Sequence, residues 1–130
     1  MPALVAGLAW TLAETKLQYA TIVGIPSTNP KVLERGFETI APLAQKVAKI
    51  RNWPYQSALT FAHPVSEQVG LTNLNRRRNL ANAFVASAPI SGTVVLVDDV
   101  VTTGATVSAA ADALRIAGAQ TILQICLCRV

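Results

Sequence analysis

Hydrophobic positions at the start of the chain show first a helical spacing and then the spacing of a buried strand. Leu4, Leu8, Leu12 and Leu17 lie near one helical face, which predicts a first helix over Ala3 to Tyr19. The β-branched run from Tyr19 to Ile25 predicts a short strand, ended by the polar loop Pro26 to Pro30. The chain is therefore expected to open with a helix and a buried strand.

The central part of the chain predicts a second helix and two weaker strands. Apolar residues at helical spacing predict a helix from about Thr39 to Ile50, with Pro42 in its first turn. Short apolar runs at Ser57 to Phe61 and Ala81 to Val85 are candidate strands. The polar, aperiodic segment His63 to Asn73 predicts a mobile loop between them.

The last third of the chain contains the clearest elements. The run Thr93 to Val97 is continuously apolar and β-branched, as strands buried on both faces of a parallel sheet are. A helix from about Thr106 to Ala117, stopped by Gly118, and a strand from Thr121 to Cys128 follow it. Strand, helix and strand in this order predict a three-layer α/β sandwich with a mainly parallel sheet.

Composition bounds this prediction without changing it. A chain of 130 residues that is 52% hydrophobic and has no repeat or linker predicts one folded domain over residues 1–130. Two cysteines fit a reducing cytoplasm, and no uncharged stretch reaches the roughly 20 residues of a membrane span. We therefore expect a cytoplasmic protein without a membrane segment. The net charge of +4 suits an anionic ligand but does not identify one.

Candidate chemistry is concentrated directly after the apolar run Thr93 to Val97. Asp98 and Asp99 stand side by side there, and a threonine-rich turn around Gly104 leads into the next helix. Threonine hydroxyls, backbone N–H groups and a helix amino terminus together predict a phosphate site. The residues of this candidate site are Val101, Thr102, Thr103, Gly104, Ala105 and Thr106.

The two carboxylates cannot bind the same phosphate, so they are expected to face hydroxyl groups or a divalent cation. A sugar that carries both a phosphate and a vicinal diol satisfies the whole arrangement. The structural alternative is that Asp98 and Asp99 only end the strand, and that Thr102 or Thr103 caps the helix. Two adjacent carboxylates at the end of a buried strand are costly unless they are paired or bind a ligand, which favours the ligand.

Residues 96 to 106, LVDDVVTTGAT, resemble the phosphoribosyl pyrophosphate (PRPP) motif of type I phosphoribosyltransferases. The resemblance implies that Asp98 and Asp99 hold the ribose hydroxyls and that residues 101 to 106 surround the 5′-phosphate. It also implies that Mg²⁺ accompanies PRPP as cofactor, and that Ser27 and Thr28 bind pyrophosphate.

Arg35 and Arg76 are the candidate catalytic counter-charges to the leaving pyrophosphate. A surface ion pair with a nearby glutamate is the alternative for both arginines.

A second resemblance rests on the order and spacing of residues between Tyr19 and Arg129. In these positions the chain is similar to the ComF family, which consists of bacterial phosphoribosyltransferase-like proteins linked to DNA uptake competence. The matching positions are Arg35-Gly36-Phe37, Gln68, Leu71, Arg76, Asn79 and Ala83-Phe84.

The chain departs from the ComF pattern in three ways. The 130 residues do not include the N-terminal four-cysteine zinc ribbon that members commonly carry; a variant without the ribbon and the loss of an upstream segment are the two alternatives. Glu34 and Glu38 stand near Arg-Gly-Phe, and Thr60 to His63 occupies a stretch that is often basic. These changes remove positive charge from loops that approach pyrophosphate in such enzymes.

Two functions follow from these resemblances. The first is an enzyme that transfers the phosphoribosyl group to an unidentified acceptor and releases pyrophosphate. The second is a non-catalytic ribose-phosphate-binding module that acts in DNA uptake, competence or regulation. Arg76 to Arg78 make single-stranded DNA a weaker candidate partner, and a homodimer is one alternative for the oligomeric state.

Three kinds of residue outside the motif carry simpler interpretations. His63 is interpreted as a solvent-exposed side chain, with a general-base role as the alternative. Cys126 and Cys128 lie two apart on the last strand and are expected in the core, with metal binding as the alternative. Trp10 and Trp53 are expected to pack.

Overall fold

The fold positions its helices and strands around one parallel sheet. The computed structural model describes residues 2–26, 40–62, 83–101 and 104–129. Its helices are α1 (Pro2–Glu14), α2 (Ile40–Arg51) and α3 (Ala105–Ile116), and its strands are β1 (Thr21–Gly24), β2 (Leu59–Phe61), β3 (Phe84–Ala86), β4 (Gly92–Val101) and β5 (Ala119–Arg129). No helix within these ranges has the length and hydropathy needed to cross a bilayer.

The main sheet has the order β1-β4-β5, and both pairings are parallel. Val23 lies opposite Leu96 in the first pair, and Val97 lies opposite Ile125 in the second. Strands β2 and β3 form a separate antiparallel pair. The predicted βαβ unit is confirmed, because β4, α3 and β5 follow one another and the two strands pair in parallel.

The sheet separates two hydrophobic clusters, which makes the three predicted layers. Val95 and Val97 of β4 pack on one side with α1 and α2. Val94 and Leu96 pack on the other side with α3 and the β2–β3 pair. Successive residues of a strand point to opposite faces, so an apolar run without alternation fills both clusters.

Helix α1 is shorter than predicted, and the face that it buries differs from the predicted one. It ends at Glu14, and Lys16 has a left-handed φ of 61°, so the helix does not continue to Tyr19. Its buried residues are Val5, Leu8, Ala9 and Leu12. Leu4 is therefore exposed, and so is Trp10, which was expected to pack. The packing prediction for Trp10 is wrong because apolar spacing does not tell which side of an apolar helix meets the core.

Strand β4 is longer than predicted, since it runs past Val97 to Val101. The ladder with β5 continues through Asp98 opposite Cys126 and Val101 opposite Arg129. Backbone pairing does not depend on apolar side chains, so the two acids lie within the strand and not after it.

The other boundaries differ from the predicted ones by a few residues. Helix α2 starts at Ile40 with Pro42 in its first turn as predicted, and it runs to Arg51 with Ile50 exposed. Asn52 then has a left-handed φ of 57°, which ends the helix. Strands β1, β2 and β3 cover Thr21–Gly24, Leu59–Phe61 and Phe84–Ala86, and α3 starts one residue early at Ala105. The segment His63 to Asn73 lies outside the described residues.

Candidate functional site

Strand β1 ends beside Val97 of β4, and β4 continues past it to Val101. The Ile25 N–H donates a hydrogen bond to the Val97 carbonyl oxygen at 2.9 Å, just past the end of β1. The chain therefore leaves β1 at Pro26 beside the segment where β4 reaches Asp98. Open α/β sheets bind ligands in the crevice beyond the carboxyl ends of their strands, so this edge is the candidate site.

Asp98 is the one buried charged side chain in the part of the chain that the structure describes, with 8% of its surface exposed. It follows Val94 and Leu96 at alternate positions of β4, so it lies on the sheet face that α3 covers. Carboxylates are retained at buried positions when they are hydrogen-bonded, paired or used to bind a ligand. The role of Asp98 in binding a sugar stays a prediction.

The turn after β4 ends in a glycine with a left-handed conformation. Gly104 has φ 81° and ψ 2°, and it is the N-cap of α3 without a side-chain capping hydrogen bond. Its carbonyl oxygen accepts a hydrogen bond from the Ser108 N–H at 2.9 Å, which starts the helix. The structural alternative with Thr102 or Thr103 as N-cap is therefore wrong. Glycine is favoured here because it adopts positive φ without a Cβ penalty.

Space and polarity at this turn suit an anion. A Cβ built on Gly104 would meet no atom within 4 Å, so the side of the turn is open. The first N–H groups of a helix have no partner within the helix, and the helix dipole is positive at that end. Ala105 and Thr106, which begin α3, are half-buried at this edge.

The structure places only part of the predicted site. Asp98, Gly104, Ala105 and Thr106 lie together around the end of β4 and the start of α3, and Val101 is the last residue of β4 with its side chain buried. The backbone of Asp99 belongs to β4, whereas its side chain is outside the described part. The other predicted site residues, Ser27, Thr28, Arg35, Arg76, Thr102 and Thr103, also lie outside the described residues.

One neighbour of the site was not predicted from the sequence. Cys126 pairs with Asp98 in the parallel ladder, so the two side chains lie on the same face of adjacent strands. Cys126 is a free cysteine and is half-buried, which corrects its expected place in the core. No sequence signal marks this neighbour, because the register between parallel strands is set by tertiary packing.

Comparison with known proteins identifies the family. Residues 2–130 match the model of the phosphoribosyl transferase domain. The chain belongs to that family. This agrees with the motif at residues 96 to 106 and with the parallel sheet and its crossover helix.

Relatives of known name support the ComF-like resemblance. The chain is similar to the "DNA utilization protein YhgH" of Escherichia coli O157:H7 and of Salmonella typhi, each 38% identical over 110 residues. The matches cover 83% of this chain and 48% of each relative, so the chain spans about half their length.

Two solved structures support the type I phosphoribosyltransferase fold. A purine phosphoribosyltransferase from Pyrococcus horikoshii Ot3 is 20% identical with a TM-score of 0.58, over 99% of this chain and 80% of that one. The allosteric regulatory enzyme of purine biosynthesis is 20% identical with a TM-score of 0.62, over 95% of this chain and 25% of that one. At this identity the likeness concerns the fold alone.

Proposed function

We propose that the chain acts as one domain that binds PRPP, or another ribose 5-phosphate compound, where β1 and β4 end. The phosphoribosyl group is transferred to an acceptor, and pyrophosphate is released. The observation that carries the proposal is the buried carboxylate of Asp98 in the strand that leads through Gly104 into α3. A carboxylate accepts hydrogen bonds from sugar hydroxyls, and a helix amino terminus attracts a phosphate, so a ribose phosphate fits both.

The proposed roles divide the site into a ribose part and a phosphate part. Asp98 and Asp99 accept hydrogen bonds from the ribose 2′ and 3′ hydroxyls. Residues 101 to 106 surround the 5′-phosphate, with backbone N–H groups at the start of α3 and threonine hydroxyls as donors. The open side of Gly104 supports this assignment, because a phosphate can approach the backbone there.

The leaving group is assigned to the loop that follows β1. Ser27 and Thr28 come directly after Pro26, where β1 ends beside β4, and are proposed to bind pyrophosphate. Arg35 and Arg76 are proposed to neutralise its charge. The acceptor attacks ribose C1 while the bond from C1 to the pyrophosphate oxygen breaks, so the protein's contribution is positioning and charge stabilisation.

The donor atoms at the site also fit Mg²⁺ that arrives with PRPP. The described residues contain no group of three or more His, Cys, Asp or Glu that could hold a metal. Mg²⁺ prefers oxygen ligands and usually combines one or two carboxylates with phosphates and water. Asp98 and Asp99 would supply the protein's carboxylate oxygens, and the bound ion would offset the charge of the leaving pyrophosphate.

The second candidate is a non-catalytic ribose-phosphate-binding module that acts in DNA uptake, competence or regulation. The names of the relatives favour it, because "DNA utilization" describes a process and not a transferase reaction. Single-stranded DNA is the corresponding partner. Both candidates need the same ribose-phosphate site and differ in turnover.

The site is tested by the thermal stability of the protein with PRPP and Mg²⁺. A ligand at 100 times its Kd stabilises the folded state by about 2.7 kcal/mol, which raises Tm by roughly 10 °C in a domain of this size. Asp98→Asn removes the charge with little change of shape and should abolish the shift. Asp112→Asn is the matched control, because Asp112 is an exposed acid on α3 that pairs with Arg115 at 3.2 Å.

Turnover is tested separately by pyrophosphate release from PRPP with a panel of nucleobases. Release that depends on Asp98 and on one nucleobase supports the enzyme. A Tm shift without release by any nucleobase supports the binding module. Absence of a shift with PRPP and with ribose 5-phosphate contradicts both.

A further inference from the structure

The acid that carries the proposed function has a cysteine beside it on the next strand. Asp98 of β4 pairs with Cys126 of β5 in the parallel ladder, so the two side chains lie on the same face of the sheet. Neighbouring strands lie about 4.8 Å apart, which makes the two residues immediate neighbours. Cys126 is a free cysteine and is half-buried. A sugar that binds to the Asp98 carboxylate is therefore expected to lie next to Cys126.

The proposed ribose and phosphate positions share the face of the sheet that α3 covers. Asp98 follows Val94 and Leu96 at alternate positions of β4, and those two residues pack in the cluster that contains α3. The proposed phosphate position is the start of α3, where the side of Gly104 is open. A ribose phosphate held at both points lies on this face, and Cys126 is the residue of β5 at the same level and on the same face.

The order of the strands decides which side of the bound sugar faces Cys126. Strand β4 lies between β1 and β5 in the sheet. Because the pyrophosphate is assigned to the loop after β1, β5 borders the opposite side of the ribose. At the level of Asp98, the residue on that border is Cys126. A cysteine side chain is small, so it leaves room for a sugar ring beside the carboxylate.

We propose that Cys126 forms the wall of the ribose-phosphate site on the β5 side, and that its small size lets the ribose reach Asp98. The inference rests on the proposed function, because it assigns Cys126 a contact with the same ligand. In this role Cys126 packs against the sugar ring and takes no part in the breaking of the bond at C1. A larger side chain at position 126 would occupy the space of the ring.

The size of residue 126 tests the proposal through the dissociation constant for ribose 5-phosphate, measured by calorimetry. Affinity should fall in the order Cys126→Ser, Cys126→Val, Cys126→Leu, because each step adds atoms where the ring lies. We expect Cys126→Leu to raise the dissociation constant at least about tenfold, and Cys126→Val carries the test if the leucine variant does not fold. Gln124→Leu is the matched control, since Gln124 lies on the same face of β5 but pairs with Leu96, further from the carboxyl end.

Alkylation of the thiol supplies a second test that leaves the proposed wall unaltered. The chain has two cysteines, so Cys128→Ser makes Cys126 the single thiol. Its modification by iodoacetamide, followed by intact mass, should slow at least about tenfold with saturating ribose 5-phosphate, because the bound ligand excludes the reagent. The control is Ile122→Cys with both native cysteines replaced by serine. Ile122 is half-buried on the same face of β5, about 13 Å nearer the amino end, so the thiol introduced there should react equally fast with and without the ligand.

The outcomes distinguish a failure of this inference from a failure of the proposed function. If neither PRPP nor ribose 5-phosphate raises the Tm of the unaltered protein, both are wrong. If the Tm rises but Cys126→Leu binds with unchanged affinity, or Cys126 is alkylated at the same rate with and without the ligand, the site remains and Cys126 is not its wall. An equal loss of affinity in Gln124→Leu also overturns the assignment, because the effect then belongs to β5 as a whole.

Discussion

The two ends of the parallel sheet are closed in different ways. At the amino end, hydrogen bonds join the segments around the strands: the Trp53 indole N–H donates to the Gln18 carbonyl oxygen at 3.1 Å, and the Ile90 N–H donates to the Ala117 carbonyl oxygen at 3.2 Å. At the carboxyl end, β4 carries Asp98 to a buried position and continues into an open turn. Hydrogen bonds therefore hold the amino end together, whereas the carboxyl end carries a buried carboxylate and an open turn.

Because of this difference, we expect stability and the proposed binding of PRPP to depend on opposite ends of the same strands. A buried carboxylate and a residue with left-handed φ cost free energy of folding, and such features concentrate at functional sites. Changes at the amino end should therefore lower the free energy of unfolding without altering affinity for PRPP. Changes at the carboxyl end should lower the affinity for PRPP, in addition to any effect on the free energy of unfolding.

The largest expected loss of stability comes from Gly118→Ala at the amino end. Gly118 has φ 120°, and a Cβ there would lie 2.4 Å from the Ile90 carbonyl oxygen. Strained backbone of this kind costs about 1–3 kcal/mol, and the clash adds to it, so we expect a loss of about 3 kcal/mol or more by urea unfolding. A loss below about 1 kcal/mol would contradict this reading of the contact.

Trp53→Phe should lower the free energy of unfolding by less than Gly118→Ala does, by about 2 kcal/mol, because it removes a hydrogen-bond donor and keeps an aromatic ring. The Gln18 carbonyl oxygen loses its hydrogen bond, and the Arg51 guanidinium, 4.5 Å from the centre of the Trp53 ring, lies over a weaker partner. Urea unfolding measures the change. The control is Trp10→Phe, because Trp10 is 69% exposed, and there we expect a change within about 0.5 kcal/mol. Equal losses at both positions would show that the amino-end contacts contribute nothing.

The layers of the fold could be predicted because β4 and its neighbours carry strong local signals. The run Thr93 to Val97 is buried on both faces as its composition indicates. The end of β4 could not be predicted, because Asp98 interrupts the apolar pattern while the backbone ladder with β5 continues. Trp10 was placed wrongly for a related reason, since periodicity identifies an apolar helix without saying which side is covered.

At the candidate site too, local sequence signals predicted some positions and not others. The location of Asp98 near the carboxyl end of the sheet could be predicted, because a carboxylate after a buried run lies at the carboxyl end of a parallel strand. Cys126 beside it could not, since its place depends on strand register. The N-cap of α3 could not be predicted either. The sequence does not show which residue of the turn precedes the first helical one, and in the structure it is Gly104, which has no side chain that could cap the helix.

Substitution of two glycines of similar geometry should have the smallest effect on stability. These two glycines lie at opposite ends of the sheet, so they also allow a direct comparison of the ends. Gly104 has φ 81° and Gly92 has φ 71°, and a Cβ on either would meet no atom within 4 Å. Alanine in a left-handed conformation costs about 1–2 kcal/mol, so Gly104→Ala and Gly92→Ala should lose similar stability in urea unfolding. Gly92 starts β4 at the amino end, so it is the matched control for strain.

Ligand binding should distinguish these two variants. If a phosphate approaches the open side of Gly104, a methyl group there blocks it, and the Tm shift with PRPP should disappear in Gly104→Ala while it persists in Gly92→Ala. Gly104→Asn refines the comparison, because asparagine tolerates left-handed φ better than alanine but carries a larger side chain. Loss of the shift in Gly104→Asn means that glycine is needed for ligand approach, whereas a retained shift means that only backbone conformation matters there.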